Sequence, residues 1–186
     1  MFEAYLQSLL PIPAQSLQAF VQLFHPMTLD KDAHFANVGE RATQIAFVQN
    51  GVMRAYFSTS GGKEYNKTFF VTSEFAGAYS SLVTQNESRI AIQCLTPCQV
   101  LVARWSDVVS LYPQHRSIET LARVLAEQFF VIKEQREVDL VTLDSRQRYQ
   151  RFQREYPGLE QLIPQYHIAS YLAITPTQLS RIRKPH

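Results

Sequence analysis

The chain has 186 residues, of which 46% are hydrophobic and 12% aromatic, and its formal net charge is only +2. That length allows one large domain or two small ones, and the composition is apolar enough for a packed core. Charge is unevenly spread, because residues 1–139 hold 11 basic against 13 acidic side chains, whereas residues 140–186 hold 7 against 3. Such a step predicts a sensing body with a basic end that binds nucleic acid, although ordinary variation in small totals gives the same step.

The sequence shows no signal for export, membrane insertion or metal binding. Its first residues lack the basic start of a signal peptide and no apolar run reaches about 18 residues, so we expect a cytoplasmic protein outside the membrane. Cys94 and Cys98 are the only cysteines, and the histidines are scattered. Zinc and iron–sulfur sites need further ligands at fixed spacing, so we predict buried structural thiols, no metal and no cofactor.

The first two thirds of the chain predict two short helices followed by many strands. Helices are predicted over Phe2–Leu10 and Ala14–Phe24, with prolines between them as breakers. From Met27 to Trp105 the pattern changes to short β-rich runs, with hairpin turns predicted at Asn50-Gly51 and Gly61-Gly62. Strands about 8–12 residues apart predict a small β-barrel or a double-sheet roll.

A short helix over Ser106–Tyr112 and a long helix over Gln114–Leu140 come next. The long helix carries an apolar seam with 3–4 spacing, formed by Ile118, Leu121, Leu125, Gln128 and Ile132. A narrow seam of this kind predicts a homodimer. Alternatively, the helix lies on its own β-roll; because Phe129–Val131 widen the apolar face, it can also do both.

The C-terminal residues predict a basic helix over Thr142–Glu155 and then two short helices around a tight turn. Ile168, Ala169 and Leu172 lie on one face of the first short helix. Ala173-Ile174 forms a small apolar turn, after which Thr175 caps the second helix and Pro176 occupies its first position.

The second short helix turns its polar side outward. Leu179 and Ile182 face inward, which leaves outward-facing Thr177, Gln178, Ser180, Arg181 and Lys184. A short cationic helix on an apolar partner helix fits the DNA major groove. The alternative is a helical hairpin whose basic face is only solvated.

These elements predict an α+β protein in three parts. A double-stranded, jelly-roll-like β-roll with flanking helices covers residues 1–112, a long dimerisation helix covers 113–140, and a helix-turn-helix unit covers 141–186.

Over nearly its whole length the chain resembles the Crp/Fnr family of bacterial transcription regulators. The resemblance is most specific in the helix-turn-helix segments Ile168–Leu172 and Thr175–Ile182. It is weaker in Gln49–Phe57 with Gly61–Glu64, and in Phe75–Leu82, where the family keeps its phosphate-binding cassette. The resemblance implies a roll that senses a small molecule, a homodimer, binding to palindromic double-stranded promoter DNA, and contact with RNA polymerase.

The cassette departs from the nucleotide-binding members of the family, which place Glu directly after a Gly and Arg about eleven residues after it. Here Ala78 follows Gly77, Ser88 stands at the arginine position, and Arg89 comes one residue late. A one-residue slip on a strand sends the side chain to the opposite face, which predicts a degenerate pocket that does not bind cAMP. Alternatively, a bulge restores the register and Arg89 holds a cyclic nucleotide or another ligand.

The resemblance and the expected helix geometry together give the candidate site residues. An altered effector pocket is predicted from Gly77, Tyr79, Ser80, Ser81 and Arg89, with Tyr56 or Phe70 beside them; the effector itself is not predicted. Alternatively, these side chains only fill the interior or the surface of the roll. By resemblance Arg181 reads guanine, Gln178 reads adenine, Thr177 contacts a phosphate or a thymine methyl, and phosphates are bound by Ser180, Arg183 and Lys184. Since the sequence stops at His186, we expect a minimal DNA-reading unit.

Two other functions remain open at this point. A cupin-type enzyme would hold a metal with clustered histidines, but only His34 lies within the strand region. A ligand-binding protein that no longer reads DNA would not need the outward face around Arg181. The sequence shows no nucleophile beside a base and no phosphate loop, so we predict that the protein is not an enzyme.

Overall fold

The computed structural model describes residues 1–184; Pro185 and His186, which include one of the scattered histidines, lie outside the described residues. The helices are α1 (Phe2–Leu9), α2 (Ala14–Val21), α3 (Tyr79–Thr84), α4 (Trp105–Ser110), α5 (Arg116–Thr142), α6 (Ser145–Glu155), α7 (Leu159–Leu162), α8 (Gln165–Tyr171) and α9 (Pro176–Arg183). The strands are β1 (His25–Leu29), β2 (His34–Ala36), β3 (Gln44–Asn50), β4 (Met53–Ser58), β5 (Glu64–Phe70), β6 (Phe75–Ala76), β7 (Ala91–Cys94) and β8 (Cys98–Arg104). The α+β class is confirmed. Within the described residues, no helix combines the length and the apolar character needed to cross a bilayer.

The strands form two four-stranded sheets, ordered β1-β8-β3-β6 and β2-β7-β4-β5. The β1–β8, β3–β8, β3–β6 and β2–β7 pairs are antiparallel. Apart from β4 and β5, strands that follow one another in sequence lie in different sheets, so the chain passes repeatedly between the two layers. This is the double-sheet roll that the strand spacing predicts.

The two predicted hairpin turns have different outcomes. Gly61-Gly62 closes the β4–β5 hairpin, where Thr59 N–H donates to Lys63 O at 2.9 Å. Asn50-Gly51 is not a hairpin turn, because it joins β3 of one sheet to β4 of the other. Gly51 is needed there for space and conformation: its φ is +102°, and a Cβ would lie 2.5 Å from Pro97 O.

One apolar cluster is formed by the inner faces of the two sheets, and both cysteines belong to it. Cys94 and Cys98 are free thiols and fully buried, as predicted. A hydrogen bond between them lowers the pKa of Cys98 to about 7 and raises that of Cys94. Among the described residues no group of three or more potential ligands is arranged around a metal position.

A second cluster joins α1, α2, one sheet and the first half of α5. Its aromatic centre is Phe2, Phe47 and Phe75, with ring centroids of Phe2 and Phe47 4.6 Å apart. Ile118 and Leu121 are buried in this cluster, with exposures of 0% and 1%. The prediction that these two residues form a dimer seam is therefore wrong, because their own subunit already covers them.

By packing, the chain divides into two compact units whose limits differ from the predicted domain boundaries. The first unit comprises Met1–Ala55 and Phe69–Gln128. The second comprises Tyr56–Thr68 and the chain from Phe129 onward. The division thus falls inside α5 rather than after residues 112 and 140, and the tip of the β4–β5 hairpin belongs to the same unit as the helix-turn-helix.

Candidate nucleic-acid interface

The predicted pair of short helices is present as α8 and α9. Ile168, Ala169 and Leu172 are buried as their spacing predicts, and Leu179 of α9 is completely buried. The turn between the helices is tight, with Ile174 N–H donating back to Ala169 O at 3.0 Å. A short apolar side thus fixes α9 in place and leaves its opposite side free.

The N-terminus of α9 is closed by a reciprocal pair of hydrogen bonds. Gln178 N–H donates to Thr175 Oγ1 at 3.2 Å, and Thr175 N–H donates to Gln178 Oε1 at 2.9 Å. Pro176 occupies the first helical position as predicted. Bidentate recognition of adenine needs both the oxygen and the nitrogen of the amide. Gln178 is therefore a capping residue in this structure, and reading adenine would require it to leave the cap.

The turn between α8 and α9 contains backbone strain at Ala173, whose φ is +54°. A side chain in this left-handed region costs about 1–2 kcal/mol, whereas glycine adds only about 0.5–1 kcal/mol of unfolded-state entropy. Ala173→Gly is therefore expected to raise the free energy of unfolding by up to about 1 kcal/mol, measured by urea titration with far-UV circular dichroism. Ala169→Gly, inside α8, is the control and should destabilise; a loss of stability in Ala173→Gly would contradict the assignment of strain.

All five residues predicted to face outward are exposed: Thr177, Gln178, Ser180 and Arg181 on α9, and Lys184 directly after it. Within residues 1–184 the Arg181 guanidinium makes no hydrogen bond or ion pair, so it is available to a ligand. Thr177, Ser180, Arg181 and Lys184 are thus on the face that the sequence predicts.

Arg183 differs from its neighbours on α9. Its Nε lies 3.8 Å from Glu160 Oε2, and Tyr149 donates its hydroxyl proton to the same carboxylate oxygen. Arg183 is therefore turned toward α6 and α7 instead of standing free. Binding a phosphate would require it to exchange this ion pair for a new one.

The basic helix α6 uses two of its arginines for internal contacts. Arg151 pairs with Asp139 at 2.9 Å and with Glu155 at 2.8 Å. Arg148 donates to Leu140 O in the last turn of α5 and to Leu143 O directly after it, where helical carbonyls lack partners within the helix. The positive charge that the sequence places on α6 therefore serves in part to join α5 to α6.

The predicted effector residues do not converge on one point. Tyr79, Ser80 and Arg89 are exposed, and the Tyr79 ring packs edge-on against Trp105 with centroids 5.8 Å apart. Ser81 is buried, but its hydroxyl accepts from Ala42 N–H and donates to Asn86 O. Gly77 is half-buried below Leu82.

The second half of α5 exposes a run of large apolar side chains. Phe129, Phe130, Val131 and Ile132 are consecutive and all exposed, Phe130 by 65%. Four consecutive helical residues point to different sides of a helix, so exposed apolar side chains are found all around α5 at this level. Of the predicted seam, Gln128 and Ile132 lie on this exposed part, and Leu125 is partly buried against its own subunit.

Solved structures of bacterial regulators share this architecture. The c-di-GMP responsive regulator CLP of Xanthomonas campestris is 13% identical, with a TM-score of 0.70, over 91% of this chain and 89% of CLP. FixK2 of Bradyrhizobium japonicum is 17% identical, with a TM-score of 0.73, over 86% of this chain and 82% of FixK2. A protein of Eubacterium rectale assigned to the Crp/Fnr family is 13% identical, with a TM-score of 0.73, over 94% of this chain and 85% of its own. This chain has the Crp/Fnr fold.

The match to the Crp/Fnr fold is structural, since neither protein-family sequence models nor curated protein sequences match this chain. Within that fold, sequence reasoning missed three residues of the second unit: Asn66, Arg136 and Ser170. Their hydrogen bonds join the β4–β5 hairpin, α5 and α8. The only sequence signal for Asn66 is a polar side chain in an otherwise β-rich run.

Proposed function

We propose that the protein is a homodimeric, DNA-binding transcription regulator of the Crp/Fnr type. The outward side of α9 carries this proposal, because Arg181 stands free there on a helix fixed by buried Leu179 and by its own N-terminal cap. Arginine suits a bidentate contact to guanine O6 and N7, the commonest specific contact in the major groove. Thr177, Ser180 and Lys184 lie on the same side and suit phosphates.

The exposed apolar run on α5 supports the dimer. Phe130 and Val131 would remain in water in a monomer, although soluble monomers rarely expose contiguous apolar surface of this kind. A parallel partner helix would cover them, and a two-fold pair of subunits would present two copies of α9 to two DNA half-sites. The dimer contact therefore lies further toward the C-terminus of α5 than Ile118 and Leu121.

The proposed regulator does not bind cAMP in the manner of the family's nucleotide-binding members. Arg89 is exposed and Ser88 is buried, with its hydroxyl donating to Ile90 O at 2.7 Å. This arrangement agrees with a register in which Arg89 faces away from the roll interior. A buried phosphate without a cationic partner is heavily penalised, so an effector of this roll is recognised by other contacts.

Selection from a randomised duplex library tests the proposal, and the wild-type protein is expected to enrich a two-fold symmetric site. On that site Arg181→Ala should lose about 1–3 kcal/mol of binding free energy and relax the preference at one base pair per half-site. Lys184→Ala should weaken binding to all duplexes alike and reduce the steepness of the salt dependence. Both effects are measured by fluorescence anisotropy at several salt concentrations.

The matched pair separates base reading from phosphate binding, since each variant removes one exposed cation, from α9 or from the residue that follows it. Equal selectivity in wild type and Arg181→Ala would refute the role of Arg181. Failure of the wild-type protein to enrich any duplex would refute DNA binding, and enrichment of an asymmetric site would refute the dimer.

A further inference from the structure

Strand β5 of the β4–β5 hairpin is bound to the first helix of the helix-turn-helix by a buried polar side chain. Asn66 on β5 is 2% exposed, and its side-chain amide donates to His167 O at 2.8 Å. The same amide nitrogen lies 3.3 Å from His167 Nδ1. The Asn66 side chain thus contacts both the backbone and the ring of His167.

Ser170 on α8 both accepts a hydrogen bond from β5 and donates one to it. Asn66 N–H donates to Ser170 Oγ at 2.9 Å, and Ser170 donates its hydroxyl proton to Glu64 O at 3.0 Å. The hydroxyl thus takes the place of a neighbouring strand, since it satisfies one donor and one acceptor on the edge of β5.

Arg136 on α5 binds the hairpin and α8 at once. Its guanidinium donates to Lys67 O at 3.0 Å, to Asn66 O at 3.3 Å and to Tyr171 O at 2.8 Å. It also stacks on the Tyr171 ring, 4.1 Å from the centroid. Tyr171 is the last residue of α8, where carbonyl groups lack partners and a cation is favoured.

We propose that Asn66, Arg136 and Ser170 form a clamp that positions α9. This inference rests on the proposed function, because it assigns these residues a role in how α9 meets DNA. The clamp residues form hydrogen bonds with the middle and the end of α8. Only the four residues from Leu172 to Thr175 separate α8 from α9. Since Leu179 is buried, α9 follows α8, and the clamp thereby fixes the orientation of Arg181.

The clamp differs from ordinary stabilising contacts in one measurable respect. In a two-fold dimer the orientation of each α9 sets the distance between the two DNA half-sites. Loss of the clamp should therefore relax the preference for one spacing. A substitution that only destabilises the fold lowers the affinity for every spacing by the same factor.

The test uses Arg136→Lys in the full chain, because lysine keeps the charge but lacks the planar fork that reaches three carbonyls. The probes are the duplex selected for the proposed function and two relatives with one base pair added or removed between the half-sites. The variant should bind the selected duplex roughly tenfold more weakly, and its preference over the two relatives should shrink by a similar factor. Arg123→Lys, at an exposed surface ion pair on the same helix, is the control and should match wild type.

A second pair of variants tests the clamp without DNA. Ser170→Ala should raise the rate of amide hydrogen exchange in α8, and Ser170→Thr, which keeps the hydroxyl, should restore protection. Unchanged spacing preference in Arg136→Lys, or unchanged exchange in Ser170→Ala, would overturn the clamp. If the wild type selects no duplex, the proposed function fails, and the role of the clamp in orienting α9 on DNA fails with it, whatever the exchange measurement shows.

Discussion

Gly51→Ala is expected to lower the free energy of unfolding by about 3 kcal/mol or more. The new Cβ would lie 2.5 Å from Pro97 O and 2.7 Å from Cys98 Sγ, and the backbone φ of +102° would strain any side chain. Backbone and a buried thiol cannot withdraw without moving β8. Urea unfolding followed by the fluorescence of Trp105, which belongs to the same compact unit, measures the effect.

Gly39→Ala is the matched control for this substitution. Its φ is +83°, also in the left-handed region, but nothing lies within 4 Å of the position of the new Cβ. Only the conformational cost of about 1 kcal/mol should remain. Equal losses in the two variants would show that conformation, rather than the close approach to Pro97 and Cys98, makes Gly51 necessary.

Leu179→Ala is expected to destabilise the helix-turn-helix unit by about 2–5 kcal/mol, the range for removing a fully buried leucine side chain. Leu179 is completely buried and is the buried residue of α9. The far-UV circular dichroism of the helices should therefore be lost at lower urea concentration than in wild type. Trp105 lies in the other unit, so its fluorescence transition should move less.

Leu162→Ala, in the same unit, provides the comparison. Leu162 is 61% exposed, so truncating it should change stability by less than about 0.5 kcal/mol. Selection of DNA should survive in Leu162→Ala and be lost in Leu179→Ala. A Leu179→Ala protein that unfolds like Leu162→Ala would mean that α9 is held by something other than this side chain.

The fold was predictable where the signal is local. Strand spacing predicts the roll, and the spacing of Ile168, Ala169 and Leu172 predicts the buried side of α8. Both rest on periodicity, which reports directly which side of an element faces a core. The fold class and the outward side of α9 could therefore be predicted from the sequence alone.

Periodicity does not reveal what covers an apolar side. Ile118 and Leu121 have the spacing of a coiled-coil seam, yet their own subunit buries them. Their spacing is the same whether the neighbour is a partner helix or a sheet. The free apolar surface lies further along α5, at Phe130 and Val131.

Gln178 shows that one residue type can suit two roles. Thr175 and Gln178 have the spacing of a capping box, so a structural role was visible in the sequence. The resemblance to a DNA-reading helix favoured base recognition instead. The hydrogen bonds at the start of α9 support the structural role.

The clamp was beyond sequence reasoning, because Asn66 and Ser170 are 104 residues apart. A single polar residue in a strand carries no information about a partner so far along the chain. The same holds for Arg136, whose acceptors are backbone carbonyls of residues that sequence patterns do not distinguish.

The second unit is discontinuous in sequence, so recombination between related genes can separate residues that contact each other. Because Tyr56–Thr68 packs with the chain from Phe129 onward, one genetic crossover between these stretches would join a foreign hairpin to α8. Chimeras made at Leu140 would inherit Ser170 from one parent and Asn66 from the other. Viable recombinants should therefore retain hairpin and helix-turn-helix from a common ancestor, or acquire compensating changes in both.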